Sequence, residues 1–327
     1  MKRILASLPV LLLGLAQIAH GQAPLELSQT ILLPKVVGGF NHHSADAKRH
    51  HLFVCATTNK TVEVIDLDSG KVIKTISGEK PSATCFAPEL NLLCVSHSKG
   101  IRLYNADTFE DAGALDLSTS IDEMHYDSRN QELLVGCMSA PSKGIAAVNL
   151  VKRIVLEKIK TPHPQGFTLE DDGDRVFVCT PGADQISVVD RKKPVQLEPW
   201  KLSDVRVDYS VAYDSKTHRL FVGCRRPAKL LVFDTNTGKQ VASAEIGKDT
   251  DDLSFDSANK RVYVACGEGV ISVIQQEGPD HYRNIANVPT AQGARNCIFL
   301  PETGEFCVTV PQNGEQPAKV LVYKARK

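Results

Sequence analysis

A four-residue apolar run recurs seven times along the chain at a nearly constant interval. The copies are LFVC (52–55), LCVS (93–96), LLVG (133–136), VFVC (176–179), LFVG (220–223), VYVA (262–265) and FCVT (306–309), starting 41, 40, 43, 44, 42 and 44 residues apart. Each has a partner run: VEVID (62–66), IRLYN (101–105), IAAVN (145–149), ISVVD (186–190), LLVFD (230–234), ISVIQ (271–275) and VLVYK (320–324). Most partner runs lead through a turn into a more polar run, such as KVIKTI (71–76), RIVLEKI (153–159) or KQVASAEI (239–246). A further short apolar piece ending at Asp or Pro precedes the first run, as in HYDSRNQE, AYDSKTHR, SFDSANKR and FLPETGE. The runs are four to six residues long and rich in Val, Ile and Phe, which suits strands and not the helices of a solenoid of similar period. Four short strands per unit and seven units describe an all-β, seven-bladed β-propeller with four-stranded antiparallel blades. The second and third strands of a blade are apolar on both faces because neighbouring blades cover them.

Closure of the ring makes a separate demand. The seventh unit stops at VLVYKARK and lacks its fourth strand, whereas LELSQTILL (25–33) has the pattern of an outer strand and no unit of its own. Residues 25–33 are therefore expected to complete the last blade, and residues 24–327 to form one domain. The exchange hides two sheet edges that would otherwise template aggregation.

Residues 1–21 read as a signal peptide: Lys2 and Arg3, an apolar stretch from Leu8 to Ile18, and Ala19-His20-Gly21 as a small-x-small cleavage site near Gly21. A short N-terminal membrane anchor is the alternative. The apolar stretch is too short to span a bilayer comfortably, and no later stretch is long enough. The expected location is the periplasm or outside the cell. Charge is balanced at 38 basic and 38 acidic residues, and loss of Lys2 and Arg3 leaves 36 against 38. No net field draws the protein to nucleic acid, and the basic patches RKK (191–193), CRRPAK (224–229) and KARK (324–327) are scattered. A monomer with no membrane span in the mature chain is expected.

The nine cysteines are an odd number, and they fall in equivalent positions of different blades: Cys55 with Cys179, then Cys137 with Cys224 and Cys266. Cys85 and Cys297 fall on innermost strands, Cys94 and Cys307 on second strands. Neighbouring sheets lie roughly 10 Å apart, beyond disulfide reach. The thiols read as small buried hydrophobes. No CxxC is present, which excludes zinc ribbons and c-type haem.

The second-strand run, the Asp-x-x-x-Gly-Lys turn (DLDSGKV at 66–72, DTNTGKQV at 234–241) and the acidic or Pro turn before strand two resemble the YVTN-repeat, YncE-like β-propellers. The likeness covers nearly the whole mature chain, although Tyr-Val-Thr-Asn itself is absent. WD repeats fit less well, with one Trp (Trp200) and no Trp-Asp. The resemblance implies a secreted seven-bladed scaffold and supplies no common catalytic set.

In a propeller the innermost strands line a central channel whose mouth can bind ligands. One aligned column of those strands is apolar: Ala45, Phe86, Tyr126, Leu169, Tyr213, Phe255 and Phe299. It reads as core. Four residues upstream the chain turns polar, with Asn41, Ser82, Asp122, Gln165, Tyr209, Asp251 and Arg295. The next column holds His42, Ala83, Glu123, Gly166, Ser210, Asp252 and Asn296. The candidate ligand-binding residues are Asn41, His42, Asp122, Glu123, Gln165, Tyr209, Asp251, Asp252 and Arg295. They admit three readings. One is a solvated rim in which Asp252 pairs with Arg295. Another is a site for a protein, a peptide or a small polar ligand, with no cofactor or metal. The last is acid–base chemistry of a lactonase-like hydrolase or lyase, or a metal held by His42, His163 and an acid. No HExxH or GxSxG spacing supports catalysis, so a binding scaffold is the function expected. His50 and His51 fall in a hairpin turn, away from His42.

Overall fold

The computed structural model describes residues 23–78, 80–202 and 205–327, with the side chains of 206–209 excepted; the expected leader lies outside the described residues. Seven antiparallel sheets succeed one another around a ring. Blade 1 is formed by Ser44–Asp46, His51–Ala56, Thr61–Asp66 and Lys71–Ser77. The other blades repeat this up-and-down order. The only helical element among the described residues is the single 3-10 turn Pro88–Leu90.

The ring closes as the pattern requires. Leu25–Leu33 pairs antiparallel with Ala318–Ala325, outside Glu305–Val310 and Asn296–Leu300, so blade 7 joins two distant parts of the chain. The Arg326 N–H donates to the Pro24 carbonyl at 3.0 Å, which sets these two positions side by side.

Burial explains why the repeat is so legible. The apolar side chains form seven separate clusters, one in each gap between neighbouring blades. Leu52, Val54 and Ile65 of blade 1 meet Cys307, Val320 and Val322 of blade 7, for example, and Phe53, Val62 and Val64 meet Leu93 and Val95 of blade 2. No cluster occupies the axis. The second and third strands face a gap on each side, hence their unbroken apolar runs; Lys71–Ser77 is exposed at all but one position. The apolar column from Ala45 to Phe299 packs against these clusters, with Tyr126, Tyr213 and Phe299 in three different gaps.

The turns explain the recurring acids. Asp46, Asp127, Asp214 and Asp256 end innermost strands, and each carboxylate accepts backbone N–H bonds two or three residues on. The last turn residue is left-handed in six blades: His50, Asn91, Gln131, His218, Lys260 and Gly304. Asp66 and Asp234 cap the next hairpin in the same way, and Gly70 and Gly238 supply its positive φ. These are the Asp-x-x-x-Gly-Lys turns of the sequence.

Blade 4 departs from the pattern. Its outer strand is split into Val195–Gln196 and Trp200–Lys201, and Pro199, which has no N–H, lies between them. Trp200 covers the gap to blade 5, with ring centroids 5.3 Å from Phe177 and 6.0 Å from Phe233.

All nine cysteines are free and buried. Inter-blade distance is not the whole reason. Cys85 and Cys94 are direct cross-strand partners within blade 2. Burial pushes the Cys55 and Cys85 thiols up to about 12, far from the reactive thiolate.

Candidate functional site

The innermost strands all begin at one face of the ring, called here the front. Neighbouring blades are stitched there by main-chain bonds: His42 N–H to Ser82 O (3.2 Å), Thr84 N–H to His42 O (3.1 Å) and Asp252 N–H to Arg295 O (3.0 Å). The two polar columns of the sequence therefore converge on the axis. Asn41, His42, Asp122, Gln165, Asp251 and Arg295 line a front vestibule of about 360 Å³. Glu123 and Asp252 lie one layer deeper, with His42, His43 and His125, at the head of a back chamber of about 800 Å³. His42 lines both spaces and marks the neck between them. Tyr209 belongs to the strand Arg206–Asp214, and its side chain lies outside the described residues.

The neck is a charge cluster. His42 Nδ1 lies 2.8 Å from Asp252 Oδ1. Burial works against a charged imidazole, but the Asp252 carboxylate, backed by Glu123 and Asp122, holds His42 well above its usual value. Asp252 is lowered in return: burial raises it, and the charge and hydrogen bond of His42 outweigh that. His43 is the opposite case, driven down to about 4 by burial. Its Nδ1 accepts the Cys55 N–H (3.2 Å), so the proton sits on Nε2, which donates to Thr309 Oγ1 (3.0 Å).

Glu123 and Asp252 occupy the same column and do the same work. Each accepts an N–H from the next blade's innermost strand, Phe167 for Glu123 (2.7 Å) and Cys297 for Asp252 (3.1 Å). They hold the ring together at the neck as well as charging it. Glu123 also meets His125 Nε2 at 3.0 Å.

The expected Asp252–Arg295 ion pair does not form. These residues meet through the main chain, which sends the Arg295 guanidinium forward to Asp249 (3.2 Å) and Asp251 (3.3 Å). Arg225 joins them, donating to Asp251 Oδ1 at 2.8 Å and to the Thr250 carbonyl at 2.6 Å. Arg225 and Lys80 line the vestibule and were missed by the column reading. Arg225 arrives near the end of a second strand, Arg219–Arg226, just past the point where a bulge in the partner strand faces Gly223 and Cys224. The doublet Arg225-Arg226 was its one visible signal.

Asp122 faces this cluster with a hydrogen bond from Asn41 and, among the described residues, no basic side chain bonded to it. Burial, with Glu123 and Asp251 nearby, pushes its carboxyl up to about 6 against the pull of His42. Asp251 is raised as well, by burial first and by Asp252. His163 does not join the neck. It lines a surface depression with Lys143 and Gln165. Among the described residues no group of three or more His, Cys, Asp and Glu is arranged to hold a metal ion. His50 lies at the back face, 2.7 Å from Asp68 and 2.5 Å from Glu305.

Comparison with solved structures matches this ring to other β-propellers. A chain from the crystal structure of a mitotic checkpoint complex superposes with a TM-score of 0.79 at 12% identity, covering 100% of this chain and 99% of its own. A chain of Kuenenia stuttgartiensis hydrazine synthase gives 0.75 at 14% identity, covering 88% and 95%. U3-55K gives 0.74 at 9% identity, covering 92% and 98%. These likenesses establish the fold alone. No family model matches the chain, and no curated protein sequence does.

Proposed function

We propose that this chain is an exported, YncE-like β-propeller that works as a binding scaffold in the periplasm or outside the cell, through its front vestibule. The observation that carries the reading is the vestibule itself: Arg225, Arg295 and Asp251 fix one another beside the Asp122 carboxyl, which has Asn41 but no basic partner among the described residues, over a neck closed by His42 and Asp252. Charged groups held ready in a cavity of this size suit a small polar ligand or a side chain presented by a partner protein. One chain of similar fold sits in a mitotic checkpoint complex, in keeping with recognition of proteins. A thermal-shift screen with amino acids, polyamines, carboxylates and lactones tests the reading. A genuine ligand raises the melting temperature of the wild type but not of Asp122→Asn or Arg295→Gln. A panel with no such hit, together with no protein partner retained through this face, would count against it.

A hydrolase or lyase is the second reading, favoured by Asp122 standing near 6, where a carboxyl can give or take a proton at neutral pH. Asp122→Asn then lowers turnover about a hundredfold or more although the melting temperature does not fall. Asp252 is a poor test because it also supports the His42 ring and the Cys297 N–H.

A further inference from the structure

The front face carries two more depressions, and with the vestibule they form a row. One of about 180 Å³ occupies the cleft between blades 1 and 2, lined by Lys60, His97, Arg102 and Tyr104. The Gly78 N–H donates to the Lys60 carbonyl (3.3 Å), so the segment holding Gly78, Lys80 and Pro81 separates this cleft from the vestibule. On the far side Gln165 lines both the vestibule and the depression that holds Lys143 and His163, of about 580 Å³. The row runs from the blade 1–2 cleft, across the axis, to blade 4.

Charge follows the same line. Lys60, Lys80, Lys99, Lys143 and Lys160 project from front-face turns of blades 1 to 4, and none of them takes part in an ion pair among the described residues. Of the described acids nearby, Asp251 is held by Arg225 and Arg295, and Asp116, whose carboxylate caps the turn at Ser118, remains with Asp184 and Asp122, fewer than the five lysines. The whole chain is neutral, so this excess is local. The composition of the surface selects among polyanions. Most exposed large apolar residues, such as Leu27, Val72, Ile73, Ile154 and Leu156, sit on outermost strands; Val37, bonded to Asn59 beside Lys60, is an isolated exception, too little for a wedge into a lipid surface. Among the described residues Tyr104 is the one partly exposed Phe, Tyr or Trp ring lining the row, with the separate imidazoles of His97 and His163, so there is no continuous aromatic platform for successive bases.

We infer that the front face is a docking track for an extended acidic segment of a partner protein, laid from the blade 1–2 cleft across the vestibule to the Lys143 depression. The inference rests on the binding reading above and names its partner. Each exposed lysine contributes little alone, so binding is spread along the segment and falls with salt.

The test uses a fluorescein-labelled twelve-residue peptide of alternating Glu and Ser, followed by anisotropy at 50 and 150 mM salt. Lys60→Glu and Lys143→Glu, at opposite ends of the row, each weaken binding about 3- to 10-fold, and together about 30-fold or more. Lys192→Glu with Lys193→Glu, on an exposed back-face hairpin, changes it less than twofold. Melting temperatures confirm that all variants fold. Equal losses from the back-face pair overturn the inference, as does an unchanged Kd in the double front-face variant. Tighter binding of a thymidine dodecamer or of anionic vesicles, lost in the same front-face variants, also overturns it in favour of that polyanion. If the lysine reversals have no effect while Arg295→Gln still abolishes a thermal-shift hit, the vestibule stands and the track falls. If both are silent, both fall.

Discussion

At the scale of single residues, the neck sets the pH response. The folded His42 is raised above the unfolded value of about 6.5, so its contribution is complete below that pH and fades as pH rises through the folded value. Asp252 is lowered, so its contribution is present above about pH 4 and lost as pH falls through its folded value. The pair therefore supports the ring best between about pH 4 and 6.5. His42→Gln is expected to cost about 2–4 kcal/mol there, because it leaves Asp252 without its counter-charge. The loss shrinks at high pH, and denaturant melts at pH 5.5 and 9 measure it. Asp122 has the opposite sign. A carboxyl raised to about 6 opposes folding once it must ionise, so Asp122→Asn should raise the melting temperature at pH 7.5 by about 2 °C and less at pH 5. A thiol titration makes a simpler check: Ellman's reagent should leave the native protein almost unlabelled and find nine thiols after denaturation.

Among elements, the hairpins and the closing strand carry the testable content. Five residues, His50, Asn91, Gln131, His218 and Lys260, hold a left-handed turn position that Gly304 fills in blade 7. Lys260→Gly relieves that strain and is expected to stabilise by about 0.5–1 kcal/mol in denaturant melts. Removing residues 24–34 strips the outer strand from blade 7 and takes Leu25, Ile31 and Leu33 from two clusters, so unfolding of the whole ring should come at much lower denaturant. Strand positions were legible in the sequence because a side chain facing a blade gap must be apolar in every copy. The split outer strand of blade 4 was not: outer strands meet solvent, and nothing in RKKPVQLEPW marks where pairing lapses beyond the two prolines. The neck was half legible. Register placed Asn41, Asp122, Asp251 and Arg295 at one level of the ring, yet the partner each chose depended on which main-chain bond turned its side chain forward or back. That is why Asp252 met His42 and why Arg225, entering from a second strand, escaped notice.

The whole molecule keeps its apolar mass in seven gaps and a cluster of half-buried ionisable groups on the axis. The neck residues also bond blade to blade, so substitutions there act on the melt, whereas exposed front-face lysines such as Lys60 can be changed with little effect on it. The two ends of the ring also differ. The back chamber is the larger and holds His125, Tyr126 and Ser254, whereas the vestibule is narrower and more heavily charged.

The hydrogen bond between Arg326 and Pro24 has a consequence for topology. Because these positions touch, a short Gly-Ser bridge can splice them and the polypeptide can be cut elsewhere, for instance at the exposed Gly182–Ala183 hairpin, without moving any sheet. A circular permutant built this way should fold to the same ring, and its strand exchange would become an ordinary turn.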